Sequence, residues 1–144
     1  MNRQRGFTLF ELVLAVASAG IAVTIALPAY QDYSYRTQMA HLLDLMTRDR
    51  QVVERYQREH RRWPGDAHPP GISGADAAPY LAQPPTLLTR PKALHYTVSF
   101  GNGVSGELLL EAHLQDGEIQ DWHCQPLDQT PGFARYLPAF CGAD

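Results

Sequence analysis

The sequence predicts an α+β fold: a long N-terminal α-helix, with a transmembrane half and an amphipathic half, packed on a small antiparallel β-sheet. Three observations carry this expectation. Residues 7–30 are apolar or small except for one carboxylate, Glu11. Residues 31–62 contain neither Gly nor Pro and repeat apolar side chains at helical spacing. After residue 92 come three runs of strand character, separated by glycine-containing turns.

The first element is a membrane-length helix over 7–30. Twenty-four helical residues at ~1.5 Å each reach ~36 Å, enough to cross a ~30 Å hydrocarbon core. Arg3 and Arg5 precede the run, and after it Asp32 and Arg36 give no bias. The positive-inside rule then puts Met1 in the cytoplasm and the C-terminal part outside. A cleaved secretory signal is the competing reading, with Ala17-Ser18-Ala19 read as its processing site. But the apolar pattern runs on to Leu27, and export alone gives no reason for Glu11. A carboxylate in hydrocarbon costs at least ~2.5–3.5 kcal/mol, so Glu11 calls for a partner.

The helix is expected to continue through 31–62, where Met39, Leu42, Leu43, Met46, Val53 and Tyr56 fall on one side. Taken from residue 7 to residue 60 it would be ~80 Å long. Pro28 is expected to kink it, since proline lacks the backbone donor and crowds the preceding turn. Trp63-Pro64-Gly65 ends it. Residues 63–91 hold prolines 64, 69, 70, 79, 84, 85 and 91, which predicts an extended connecting loop.

Residues 92–144 form the predicted sheet region. Strands are expected at 93–100, 107–114 and 118–124, joined by turns at 101–106 and 115–117 as an antiparallel meander. The tail after 125 reads as irregular, with 133–137 as a possible short edge strand. Its two cysteines, Cys124 and Cys141, favour a disulfide in an oxidising compartment. Metal binding with His113 and His123 is the alternative, but the spacing fits no standard zinc pattern. A bridge would close a loop worth ~3 kcal/mol in the chain-entropy picture.

Composition excludes as much as it suggests. The 144-residue chain carries 12 Lys+Arg and 15 Asp+Glu, a net charge of −3, which argues against a nucleic-acid binder driven by bulk charge. No nucleophile elbow, phosphate-binding glycine loop or paired-carboxylate motif is present, so the chain reads as a non-enzyme with no cofactor and no metal. His95 and His113 lie on predicted strands and read as sheet surface.

The opening RGFTLFELVLAV, the ALPAYQDY around Pro28, and the closing GEIQDWHC…ARYLPAFC resemble the type IV pilins, in particular the type IVa group. The resemblance covers the whole pilin-like architecture and departs from the family where Ala15, Ala17, Ser18 and Ala19 replace bulky aliphatics. It implies a leader at 1–6, cleaved between Gly6 and Phe7 by a prepilin peptidase, and N-methylation of Phe7. It implies that Glu11 meets the freed Phe7 amine during subunit assembly and that Cys124 and Cys141 bound the C-terminal loop. The implied function is a structural subunit that polymerises through its N-terminal helix into a retractable surface filament for twitching motility, adhesion or DNA uptake. The partners implied are other pilins in a helical filament, the peptidase, the inner-membrane assembly machinery, and DNA or surface ligands. Before assembly the subunit would sit in the inner membrane with its globular part in the periplasm, and afterwards in an extracellular fibre. The alternatives are a pseudopilin of a type II secretion system and a single-pass membrane sensor or enzyme. The run 48–62, with six arginines against three acids, reads as the solvated helix face with pairs such as Glu54–Arg58, as subunit contacts, or as a phosphate-binding surface.

Overall fold

The computed structural model describes residues 7–65, 71–74 and 78–142. Gly6 and the rest of the expected leader lie outside the described residues. The chain forms two compact units, Met1–Tyr35 and Arg36–Asp144. Helix α1, Leu9–His60, runs through the first and supplies the start of the second.

In the second unit, an antiparallel sheet has strand order β1 (Thr86–Thr89), β2 (Lys92–Gly101), β3 (Val104–Gln115) and β4 (Glu118–Gln129). Two-residue turns close the last two hairpins: Asn102-Gly103 and Asp116-Gly117, all at positive φ. Asn-Gly and Asp-Gly meet that demand at little cost, and the resulting turn matches the twist of the strands. The β1–β2 turn is Arg90-Pro91, with a cis peptide bond.

Three expectations are corrected here. The segment 63–91 is not all loop, because β1 lies within it. The expected turn at 101–106 shrinks to two residues, so Gly106 belongs to β3, opposite Val98. The edge strand expected at 133–137 is instead a 3-10 turn, Phe133–Tyr136. Phe133 is fully buried there, and a Cβ on Gly106 would lie 2.4 Å from its ring. The bare backbone of Gly106 is therefore the floor on which Phe133 rests, and Phe100 stacks on its side with centroids 5.6 Å apart.

The core of this unit lies between α1 and the sheet. From the helix come Met39, Leu42, Met46 and Val53; from the sheet come Leu94, Tyr96, Val98, Leu108 and Leu110. The helix residues recur every three or four positions and the strand residues every second, as one face of each requires. Gln57 Nε2 and Trp122 Nε1 tie the layers together, donating to Gly117 O and Glu54 Oε1 across 2.8 Å each.

Candidate functional site

The N-terminal element begins with a reciprocal cap. Thr8 precedes the first residue of α1, and Glu11 N–H donates to its Oγ at 3.3 Å. In return, the Thr8 backbone N–H and hydroxyl both donate to Glu11 Oε2, at 2.9 and 2.8 Å. This Thr-x-x-Glu arrangement is a capping box, which satisfies otherwise orphaned donors of the first turn. The carboxylate also stands where the helix dipole favours negative charge. Glu11 is thus held in a defined orientation before any partner arrives.

Beyond the cap the surface is apolar on every side. Each large apolar side chain from Phe7 to Leu27 is more than half exposed in the isolated chain. The hydroxyls do not interrupt this, because Ser18 donates to Leu14 O and Ala15 O, and Thr24 donates to Ile21 O. The span is long and apolar enough to cross a membrane. Pro28 lies inside α1, which continues on both sides of it.

At the other end of the chain, Cys124 of β4 and Cys141 of the 3-10 turn Ala139–Cys141 form a disulfide, both fully buried. The bridge spans 17 positions. Phe133 is a second anchor for the same tail, so the bridge closes a segment already seated at its middle.

The basic run at 48–62 proves heterogeneous. Arg48 pairs with Asp44, Arg50 with Glu54, and Arg61 with Glu118 of β4. The expected Glu54–Arg58 pair is replaced by the pair with Arg50 and the bond from Trp122. Asp49, read from sequence as part of the solvated face, is fully buried. Its Oδ1 accepts from the Ser73 N–H and hydroxyl at 2.9 and 2.8 Å, and its Oδ2 accepts from the Tyr96 hydroxyl at 2.9 Å. The spacing Met46, Asp49, Val53, Gln57 could have revealed it, since position 49 falls on the buried side of the helix.

His95 and His113 occupy the sheet face turned away from the helix, but not opposite each other. His95 Nε2 lies 3.1 Å from Glu107 Oε2, and His113 pairs in register with Asp121. Among the described residues no three His, Cys, Asp or Glu side chains gather into a group able to hold a metal ion.

No family model and no solved structure matches the chain. Known proteins do. Fimbrial protein EcpC of Eikenella corrodens is 33% identical over 146 residues, spanning 96% of this chain and 90% of its own length. A fimbrial protein of Neisseria meningitidis serogroup A is 32% identical over 131 residues, spanning 88% of this chain and 76% of that protein. The type IV major pilin protein PilE of Neisseria gonorrhoeae is 32% identical over 131 residues, spanning 88% of this chain and 78% of that protein. With a capped apolar helix, a helix-backed antiparallel meander and a disulfide-closed tail, the chain belongs to the type IV pilin family: it is a structural pilus subunit, not an enzyme.

Proposed function

We propose that this subunit is cut between Gly6 and Phe7 by a prepilin peptidase and N-methylated on the freed Phe7 amine. It then waits in the inner membrane with its globular part in the periplasm. The inner-membrane assembly machinery moves it into an extracellular, retractable filament whose core is built from the 7–30 helices. The observation that carries this reading is the apolar surface of 7–27, exposed on all sides around one oriented carboxylate. Such a surface is covered by lipid in one state and by copies of itself in the other.

In the filament, Glu11 meets the Phe7 amine of a neighbouring subunit. Opposite charges attract strongly in a low-dielectric core, and either one alone is heavily penalised. Oε2 already serves Thr8, so Oε1 faces the incoming amine without dismantling the cap. Pro28 lets the helix bend or loosen, because one backbone hydrogen bond is missing there already. Retraction, twitching motility and adhesion follow from reversible addition of such subunits. The phosphate-binding reading of 48–62 has less behind it, because three of its six arginines are paired with carboxylates.

Mass spectrometry of sheared surface filaments tests the reading. A chain beginning at N-methylated Phe7 is expected, and filament protein that retains Met1–Gly6 would overturn it.

A further inference from the structure

A cleft of about 700 Å³ opens in the second unit between α1, the segment 78–82 and the end of β2. Its lining includes neither the apolar N-terminal span nor either cysteine. The helix contributes His41, Leu45 and Arg48, which at i, i+4 and i+7 share one side of α1. His41 and Arg48 stand ~10 Å apart along the axis, with the buried Leu45 between them. Tyr80 and Phe100 supply aromatic lining, their ring centroids 6.2 Å apart, and the exposed Ser99 adds a hydroxyl. The wall that carries Tyr80 is already fixed. Ser99 N–H donates to Tyr80 O at 2.8 Å, and Ala82 N–H donates to Thr97 O at 3.0 Å. A site of this size that is formed in advance loses little entropy on binding.

Much of the hydrogen-bonding capacity in the cleft is unspent. The Tyr80 and Ser99 hydroxyls and the His41 ring have no hydrogen-bond partner among the described residues. Each of these groups can both donate and accept. Arg48 engages Asp44 through Nη2, which leaves its other nitrogens for a second anion. Burial raises the Tyr80 phenol above its ordinary value, Arg48 lowers it and Asp44 raises it, so the phenol and both charges act in one space.

That combination is selective. Groups that donate and accept at once match hydroxyls, and aromatic rings match the C–H side of a sugar ring. One cation, partly offset by Asp44, matches a single carboxylate rather than a run of phosphates. We propose that the cleft binds an acidic oligosaccharide, with a uronate carboxylate on Arg48 and the adjoining sugar ring extending past Tyr80 towards His41. The separation of Arg48 and His41 accommodates two rings. This inference concerns the single subunit and does not rest on filament assembly.

Titration of the detergent-solubilised full chain, followed by NMR in a detergent without a sugar headgroup, tests it. The probes are cellobiouronic acid and cellobiose, which differ by one carboxylate. The wild-type chain is expected to bind the acidic disaccharide at least about tenfold more tightly than the neutral one. Arg48→Gln should remove that preference and leave cellobiose binding unchanged. Tyr80→Phe, which deletes only the hydroxyl, should weaken both sugars by about threefold. Protection of Cys124 and Cys141 from thiol reagents without reductant confirms that each variant is folded. A wild-type chain that binds neither sugar at millimolar concentration, or both equally, overturns the proposal. So does an Arg48→Gln chain that keeps the preference. Tetraglutamate is the control for charge alone, and binding as tight as that of the acidic disaccharide would make this a site for acidic peptides instead.

Discussion

The hydroxyl of Tyr96, in the middle of β2, donates across 2.9 Å to the carboxylate of Asp49 on α1, 47 residues away. Both residues are fully buried. Because Ser73 donates twice to the other oxygen, one side chain fastens helix, sheet and connecting loop at a single point. A buried carboxylate is tolerable when its lone pairs are filled in this way.

Asp49→Ala should therefore destabilise the protein by on the order of 3 kcal/mol, since it strands buried donors from Tyr96 and Ser73. Asp49→Asn keeps an acceptor for Ser73 and should cost distinctly less. Urea unfolding of the detergent-solubilised chain, followed by tryptophan fluorescence, measures both. Equal midpoints for wild type and Asp49→Ala would contradict the role.

The same contact predicts an alkaline limit. Burial first, and then the charge and hydrogen bond of Asp49, push the Tyr96 phenol well above its ordinary value. The folded state thus holds this proton more tightly than the unfolded state, whose phenol titrates near pH ~10. The contribution is fully present below that value and is lost as pH rises towards the folded one. Tyr96→Phe should remove most of the decline in unfolding midpoint measured above about pH 10. An unchanged slope would assign the decline to other groups.

Gly106→Ala should be costly although the backbone there is ordinary strand. The added methyl meets the buried Phe133 ring, and overpacking of this kind typically costs ~1–3 kcal/mol. Gly106→Ala combined with Phe133→Leu should recover part of the loss. Thermal unfolding of the single and double variants decides it.

Replacing Cys124 or Cys141 by Ser should destabilise by about 2–5 kcal/mol and reduce surface filaments. Since Phe133 remains seated over Gly106, the tail should loosen mainly after residue 136. Limited proteolysis is expected to cut the Ser variants within 137–142 before it touches 130–136, and the reverse order would refute the second anchor.

For Glu11, alanine and glutamine separate two roles. Glu11→Gln keeps an acceptor for Thr8, so the helix start survives, but the counter-charge proposed for a neighbour's amine is gone. Glu11→Ala loses both. Breaking one partner of a buried pair costs ~3–5 kcal/mol, so both variants should leave abundant membrane-bound protein and almost no fibres. Normal fibres from Glu11→Gln would mean that the cap, not the charge, is what assembly needs.

Periodicity made the helix and the three longer strands legible in the sequence, and the N-terminal motif made Glu11 conspicuous. What stayed hidden depended on contacts distant in sequence. Thr86–Thr89 is four residues among prolines, and only pairing with Lys92–His95 makes it a strand. Phe133 to Tyr136 has the aromatic content of a strand, but the space above Gly106 selects a 3-10 turn. Asp49 sits in a run dense with charge, where one buried member does not stand out by composition. The pairing of Glu54 with Arg50 rather than Arg58 followed from Trp122 reaching across from β4.

The two margins of the sheet bear on how such a protein can live crowded at high density. β1 is only four residues long and has Pro84, Pro85 and Pro91 beside it. β4 contains Pro126, opposite Leu108, and carries the disulfide that holds the Ala139–Cys141 turn. Short strands, prolines and covering segments deprive an incoming strand of a continuous row of backbone groups. Copies packed side by side in a pilus therefore have little opportunity for strand-by-strand accretion into amyloid.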